Sequence, residues 1–241
     1  MTILVTGGTG ATGRLLIRQL LEREHTVLAV VRSAERLEDE IRNHPKLITI
    51  ESPILDMEDS EMAGYLKDCD GAASCLGHNL TIRGIFGPPR KLVRDAAVKV
   101  CRSASSRDSG LPFKFVLMNT TANLNRNLNE ERTFGESLVI SLMRLLVPPQ
   151  SDNEEAAEYF RKEIGNDNKS IEWVAVRPDT LIDEPDPGDY DLSASPVRSP
   201  VFNPGRTSRI NVAHFIAELL TREDLWEEWK GQMPVIYNRD K

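Results

Sequence analysis

Ile3-Leu4-Val5 runs without interruption into Thr6-Gly7-Gly8-Thr9-Gly10-Ala11-Thr12-Gly13. From Ala11 to Glu24, Leu16, Ile17, Leu20 and Leu21 recur at helical spacing, with Arg14, Arg18 and Glu22 on the other side. A short strand, a G-x-x-G-x-x-G turn and an amphipathic helix are therefore predicted in direct succession. Glycine at such a turn permits positive φ, lets the backbone approach an anion and lets the helix pack closely on the strand. Backbone N–H groups and the positive end of the helix then converge on one spot, which suits a dinucleotide pyrophosphate. Gly7, Thr9, Gly10, Ala11, Thr12 and Gly13 are the first candidate binding residues.

Val27 to Val31 reads as the second strand, and Arg32 follows it, about 20 residues beyond the glycines. A carboxylate there would hold the ribose hydroxyls of NAD, whereas a guanidinium forms a forked pair with the 2′-phosphate of NADP. The expected cofactor is thus NADP(H), held by Arg32 and Ser33, with Arg36 one helical turn later in a position to assist.

Further apolar runs at Leu47 to Ile50, Gly71 to Leu76, Phe113 to Met118 and Trp173 to Val176 bring the expected strands to six. Helical patterns follow at about Lys91 to Ser103, Glu136 to Val147, Asn153 to Ile164 and Val212 to Thr221. Strands separated by helices predict an α/β, Rossmann-type fold with a mainly parallel sheet and helices on both faces. No linker or repeat divides the chain, so one domain over residues 1–241 is expected. Its least regular segments, around 78–90, 121–150 and 183–206, follow predicted strands and are read as the substrate region.

Composition removes several alternatives. The 30 Lys and Arg against 37 Asp and Glu give a net charge of −7, which argues against holding a nucleic-acid backbone. Leu138 to Val147 is interrupted by Ser141 and Arg144 and is too short to span a bilayer. Cys69, Cys75 and Cys101 form neither a disulfide framework nor a C-x-x-C pair, and no His, Cys and carboxylate cluster has ligand spacing. No metal, nucleic acid or membrane is expected. The expected setting is the cytoplasm, the expected partners are a nicotinamide dinucleotide and a small-molecule substrate, and the chain is expected to be a monomer or homodimer.

Thr6 to Gly13 followed by Val31-Arg32-Ser33 resembles the atypical short-chain dehydrogenase/reductases, within them the NmrA-like and biliverdin/flavin-reductase-like branch. Leu55-Asp56, Ser74-Cys75-Leu76-Gly77, Val176-Arg177-Pro178 and Ser208-Arg209-Ile210-Asn211-Val212-Ala213 extend the likeness over most of the chain. The resemblance implies that Asp56 meets the adenine amino group and that Cys75, Leu76 and Gly77 line the ribose and pyrophosphate. It also implies that Asn119, Thr120 and Thr121 lie near the nicotinamide. Asn211 departs from the pattern, since relatives often carry Asp there.

Conventional members use a tyrosine and a lysine four residues later for proton transfer. In the helix where that pair belongs, the residue four after Tyr159 is Glu163, and Glu154 stands where related chains often carry lysine. Tyr237 and Lys241 match the spacing beyond the last expected strand, where the fold gives them no reason to reach a nicotinamide. Two readings remain: a reductase of a conjugated acceptor such as a flavin or quinone, positioned by its pocket, or a non-catalytic NADP sensor. Thr120 is the one candidate catalytic residue, its hydroxyl placed to polarise a carbonyl.

Plainer roles are expected elsewhere. His78 reads as an exposed loop residue and Tyr159 as packing against Ala156, Phe160 and Ile164. Arg83, Arg90, Lys91 and Arg94 read as a solvated loop and helix start, and Glu154, Glu155 and Glu158 as a solvated helix turn. Leu138 to Val147, with Met143, is read first as buried core and otherwise as a pocket wall or lid helix, while the sequence leaves Trp226 and Trp229 undecided.

Overall fold

The computed structural model describes residues 1–78, 87–108, 110–146 and 148–239. The alternation begins as expected, with β1 (Thr2–Thr6), α1 (Ala11–Glu22), β2 (Thr26–Val31), α2 (Asp39–Arg42), β3 (Leu47–Glu51), α3 (Asp59–Leu66) and β4 (Gly71–Ser74). It continues through α4 (Leu92–Ala104), β5 (Phe113–Met118), α5 (Phe134–Leu146), α6 (Pro148–Tyr159) and β6 (Ile171–Pro178). Short elements close the chain: β7 (Thr180–Ile182), β8 (Tyr190–Ser193), β9 (Arg206–Ser208), α7 (Arg209–Thr221), α8 (Glu223–Trp229) and β10 (Val235–Asn238).

Among the described residues, eight strands form one sheet in the order β3-β2-β1-β4-β5-β6-β10-β8. All neighbours are parallel except β8, which runs antiparallel to β10 with Tyr237 opposite Asp191. The chain starts in the middle of the sheet, winds out to β3, then returns past β1 to β4. That reversal opens the crevice where a Rossmann fold takes its ligand.

Alternation along the strands sorts the core into two layers. Leu4, Leu28, Ala72, Phe115 and Trp173 face α3, α4 and α6, which contribute Met62, Leu66, Val93, Ala97, Val100 and Ala156, with Phe160 just after α6. Ile3, Val5, Ala29, Ala73, Val116 and Val174 face α1, α7 and α8, where Leu16, Ile17, Val212, Phe215, Ile216 and Trp226 complete the layer. Each large aliphatic or aromatic side chain so buried contributes about 2 kcal/mol.

Four strands go beyond the six expected. β7 and β9 pair with each other outside the main sheet, and β8 lies inside the segment expected to be irregular. α2, α3 and α8 are likewise additional helices, and β4 ends at Ser74 instead of Leu76. Trp226 and Trp229 are both buried; the Trp226 indole donates to Glu172 at 2.6 Å under the Lys114 ammonium. The expectation of core burial for Leu138 to Val147 fails for part of that segment. Ile140 is buried, but Leu138 and Leu142 of α5 are more than half exposed.

Candidate functional site

Gly7 has φ +74°, and a Cβ there would lie 2.5 Å from the Cys75 carbonyl oxygen. At Gly13 a Cβ would come within 2.2 Å of the Gly7 carbonyl oxygen, so α1 can start against the turn only without a side chain. Gly10 N–H donates to the Gly7 carbonyl at 2.9 Å, and Gly10 caps α1 with no side-chain partner and no acidic residue in the first turn. The positive end of α1 is thus left open toward the crevice.

A cavity of about 450 Å³ lies there, across the carboxyl ends of β1 to β4. Gly7, Thr9 and Gly10 form one side, Cys75, Leu76 and Gly77 another, and Ile54, Leu55 and Asp56 a third, with Pro88, Pro89 and Leu92 closing the α4 end. Arg32 and Arg36 line the β2 side. Among the described residues neither guanidinium has an ion-pair partner, and the exposed Asp56 carboxylate has none either. The glycine cradle, open helix end and adjacent cationic wall have the chemistry that suits a dinucleotide. Ala11, Thr12, Gly13 and Ser33 stand beside the cavity but do not line it: Thr12 and Gly13 are buried in the turn, and Ser33 precedes the short 3-10 turn Ala34–Arg36.

A second cavity, of about 410 Å³, lies past the carboxyl end of β5, between residues 121–136 and 195–200. Two of the three segments read as the substrate region meet there. Arg177, fully buried at the end of β6, ties these loops together without lining the cavity. Its guanidinium donates to both Glu130 carboxylate oxygens at 2.7 and 2.8 Å, and to the Met233, Asn123 and Ala194 carbonyls at 2.7 to 2.9 Å. One side chain therefore pins both loops to the sheet. Burial raises the Glu130 carboxyl, but the Arg177 hydrogen bonds and charge outweigh it and hold its pKa below 4.5. The half-buried Arg132 lines the same cavity and donates to the Ala122 carbonyl.

With this geometry in place, the family can be assigned. The model of the family described as NAD(P)H-binding matches residues 7–223. This chain belongs to the NAD(P)H-binding family. Across 92% of its length it is 25% identical to an uncharacterized chloroplastic protein of Arabidopsis thaliana, 72% of which is covered. Among solved structures, a short-chain dehydrogenase/reductase from Veillonella parvula in complex with NADP superimposes with a TM-score of 0.68 at 13% identity, over 98% of this chain and 94% of that one. ChuY, an anaerobillin reductase from Escherichia coli O157:H7, gives 0.67 at 15% identity, over 100% and 98%. At these identities the likeness is one of fold, and the fold is that of NAD(P)-binding oxidoreductases.

The residues expected near the nicotinamide of this NAD(P)H-binding chain are placed just past β5, outside the first cavity. Asn119 is buried with its amide committed: it donates to the Asn153 carbonyl at 2.9 Å and accepts from Thr120 N–H and the Asn123 amide. The half-buried Thr120 accepts from Ala122 N–H at 3.3 Å, and Thr121 opens into the second cavity. Tyr159 packs edge-on against Phe160 at 5.3 Å, as expected, with its phenol pushed well above the usual range by burial. Glu154 pairs with Arg144, Glu155 with Lys91 at 2.7 Å, and Glu158 with Arg161 and Lys162 at 2.8 Å, so these carboxylates form ion pairs instead of a solvated turn. Arg94 joins Lys91 on Glu155, at 4.0 Å, and also pairs with Asp95 at 3.0 Å.

His78 corrects the sequence reading outright. Its side chain is 4% exposed and its Nε2 lies 2.7 Å from Asp152 Oδ2 on α6, a carboxylate with no exposure. Asp152 also accepts from Val93 N–H at 2.8 Å and Arg94 N–H at 3.0 Å, satisfying the first turn of α4. A histidine and a carboxylate 74 residues apart thus lock the end of β4 to two helices, and nothing in the sequence pairs them. Asn211 is also structural: it is fully buried, accepts from Gly188 N–H and donates to Asn238. Asn79, Arg83 and Lys241 lie outside the described residues.

Proposed function

We propose that this chain is an NADPH-dependent reductase of a small conjugated or carbonyl acceptor, such as a flavin or quinone. It would work as one domain of the NmrA-like type in the cytoplasm. The observation that carries the reading is the pair Arg32 and Arg36 on the wall of the first cavity, the position directly after β2 being a guanidinium and not the carboxylate that an unphosphorylated ribose would call for. In this reading Gly7, Thr9, Gly10 and the turn up to Gly13 cradle the pyrophosphate, and Arg32 with Ser33 holds the 2′-phosphate. Asp56 meets the adenine, and Cys75 to Gly77 support the ribose and pyrophosphate.

Bound dihydronicotinamide supplies two electrons to the acceptor. The chain's own task is positioning: Asn119, held from three sides, fixes the backbone at Thr120, whose hydroxyl in this reading would polarise the acceptor carbonyl. In this reading the acceptor occupies the second cavity, which Glu130 and Arg132 line. A flavin or quinone needs little protein-supplied acid, which fits a site where Tyr159 is buried and Glu163 replaces the lysine.

That same lack of a proton donor favours one other reading, a non-catalytic NADP sensor. Titration with NADPH and NADH, followed by NADPH oxidation with flavins, quinones and simple carbonyls, separates the two. Selective NADPH binding with acceptor-dependent turnover supports the reductase; binding without turnover selects the sensor; failure to bind either nucleotide overturns both.

A further inference from the structure

α5 carries apolar residues on both faces. Ile140 points inward and is 1% exposed, while Phe134, Leu138 and Leu142 project outward at 86%, 63% and 55% exposure. A helix apolar all round belongs inside a structure, and a single chain covers only half of this one. The outward residues recur every four positions and so form one continuous ridge. Beside it runs the parallel row Ser137 and Ser141, exposed and small. The Phe202 ring extends the apolar face past the start of the helix, lying 3.2 Å from where a Gly135 Cβ would sit, and is itself 64% exposed.

We propose that this face is the two-fold contact of a homodimer. Ridge and groove lie side by side on one surface, so the ridge of each copy fills the Ser137 and Ser141 groove of the other. Such self-complementarity is what an isologous interface requires. The outward face between Phe134 and Met143 carries no charged side chain: Glu136 turns inward to Thr133 and Ser199. Two chains of net charge −7 can therefore meet there with the least repulsion. The exposed parts of Phe134, Leu138, Leu142, Met143 and Phe202 amount to roughly 600 Å², and with the intervening polar surface approach the 800 Å² per partner of a standard stable interface. A lipid surface is the poorer occupant, because a membrane-lying helix flanks its apolar face with Lys and Arg, and here Arg144 is paired with Glu154.

Light scattering on the full chain at micromolar concentration tests this. The expected mass is twice the 27.0 kDa of one chain, falling toward the single-chain value on dilution. Leu138→Glu places two like charges in the contact and should weaken the dimer at least a hundredfold, giving a folded monomer by circular dichroism. Leu142→Gln is a milder second variant, expected to shift the dilution curve in the same direction. A wild-type mass of one chain at all concentrations overturns the proposal, as does a dimer indifferent to both variants. Cosedimentation of a monomer with phosphatidylcholine and phosphatidylglycerol vesicles would assign the face to lipid and also overturn it.

Discussion

Arg32 and Gly13 show how much a single position can carry. Replacing Arg32 by Asp removes a cation from the β2 side of the cavity and puts a carboxylate in its place. NADPH affinity should fall at least tenfold while NADH affinity holds or rises, measured by nucleotide fluorescence. An unchanged ratio would sink the cofactor assignment. Gly13→Ala forces a methyl to within 2.2 Å of the Gly7 carbonyl oxygen; the turn must open, and both nucleotides should lose affinity together. Gly13 can be read from sequence because backbone geometry dictates its residue type locally, and Arg32 draws notice by its spacing beyond the glycines. His78 and Asp152 cannot: a lone histidine after a glycine reads as a surface loop until the fold brings Asp152 to it. Arg177 is similar. Its place beside Pro178 supports the family likeness, but its five donated hydrogen bonds, to four residues in three separate stretches of chain, exist only in the folded state.

The first six strands could be read from their apolar runs, five to eight residues long in every case but β4, against helices of 3.6-residue period. β8 (Tyr-Asp-Leu-Ser) and β9 (Arg-Thr-Ser) could not. They are too short and polar to show alternation, and their place comes from their partners, β10 for β8 and β7 for β9. α5 misled in the opposite direction, since apolar content does not tell cover by the same chain from cover by another. The loops 121–130 and 194–200 depend on the Arg177 and Glu130 pair, which makes their order sensitive to acid. The Glu130 pKa is lowered in the folded state, so its contribution is complete above about pH 4.5 and is lost as pH falls through the lower folded value. Glu130→Gln should cost about 3 kcal/mol at pH 7. The gap in Tm between wild type and variant should narrow toward pH 3, and an equal gap at both pH values would show that the charge is not what holds the loops.

For the molecule as a whole, the nucleotide cavity joins the carboxyl ends of four strands, so binding there should stabilise the entire fold. At a hundred times its Kd, NADPH should add about 2.7 kcal/mol, which for a chain of this length raises Tm by roughly 5 to 10 °C. NADH at the same concentration should give a smaller shift; equal shifts in a thermal melt would point to a site indifferent to the 2′-phosphate. The sheet order has a further consequence, for synthesis. β10 sits between β6 and β8, and β8 reaches the sheet only through it. Roughly forty residues separate the two strands, several seconds of translation. Throughout that interval the β6 edge stands open beside a growing polypeptide, so the nascent chain has to be shielded from neighbours on the same message until its last strand slides home.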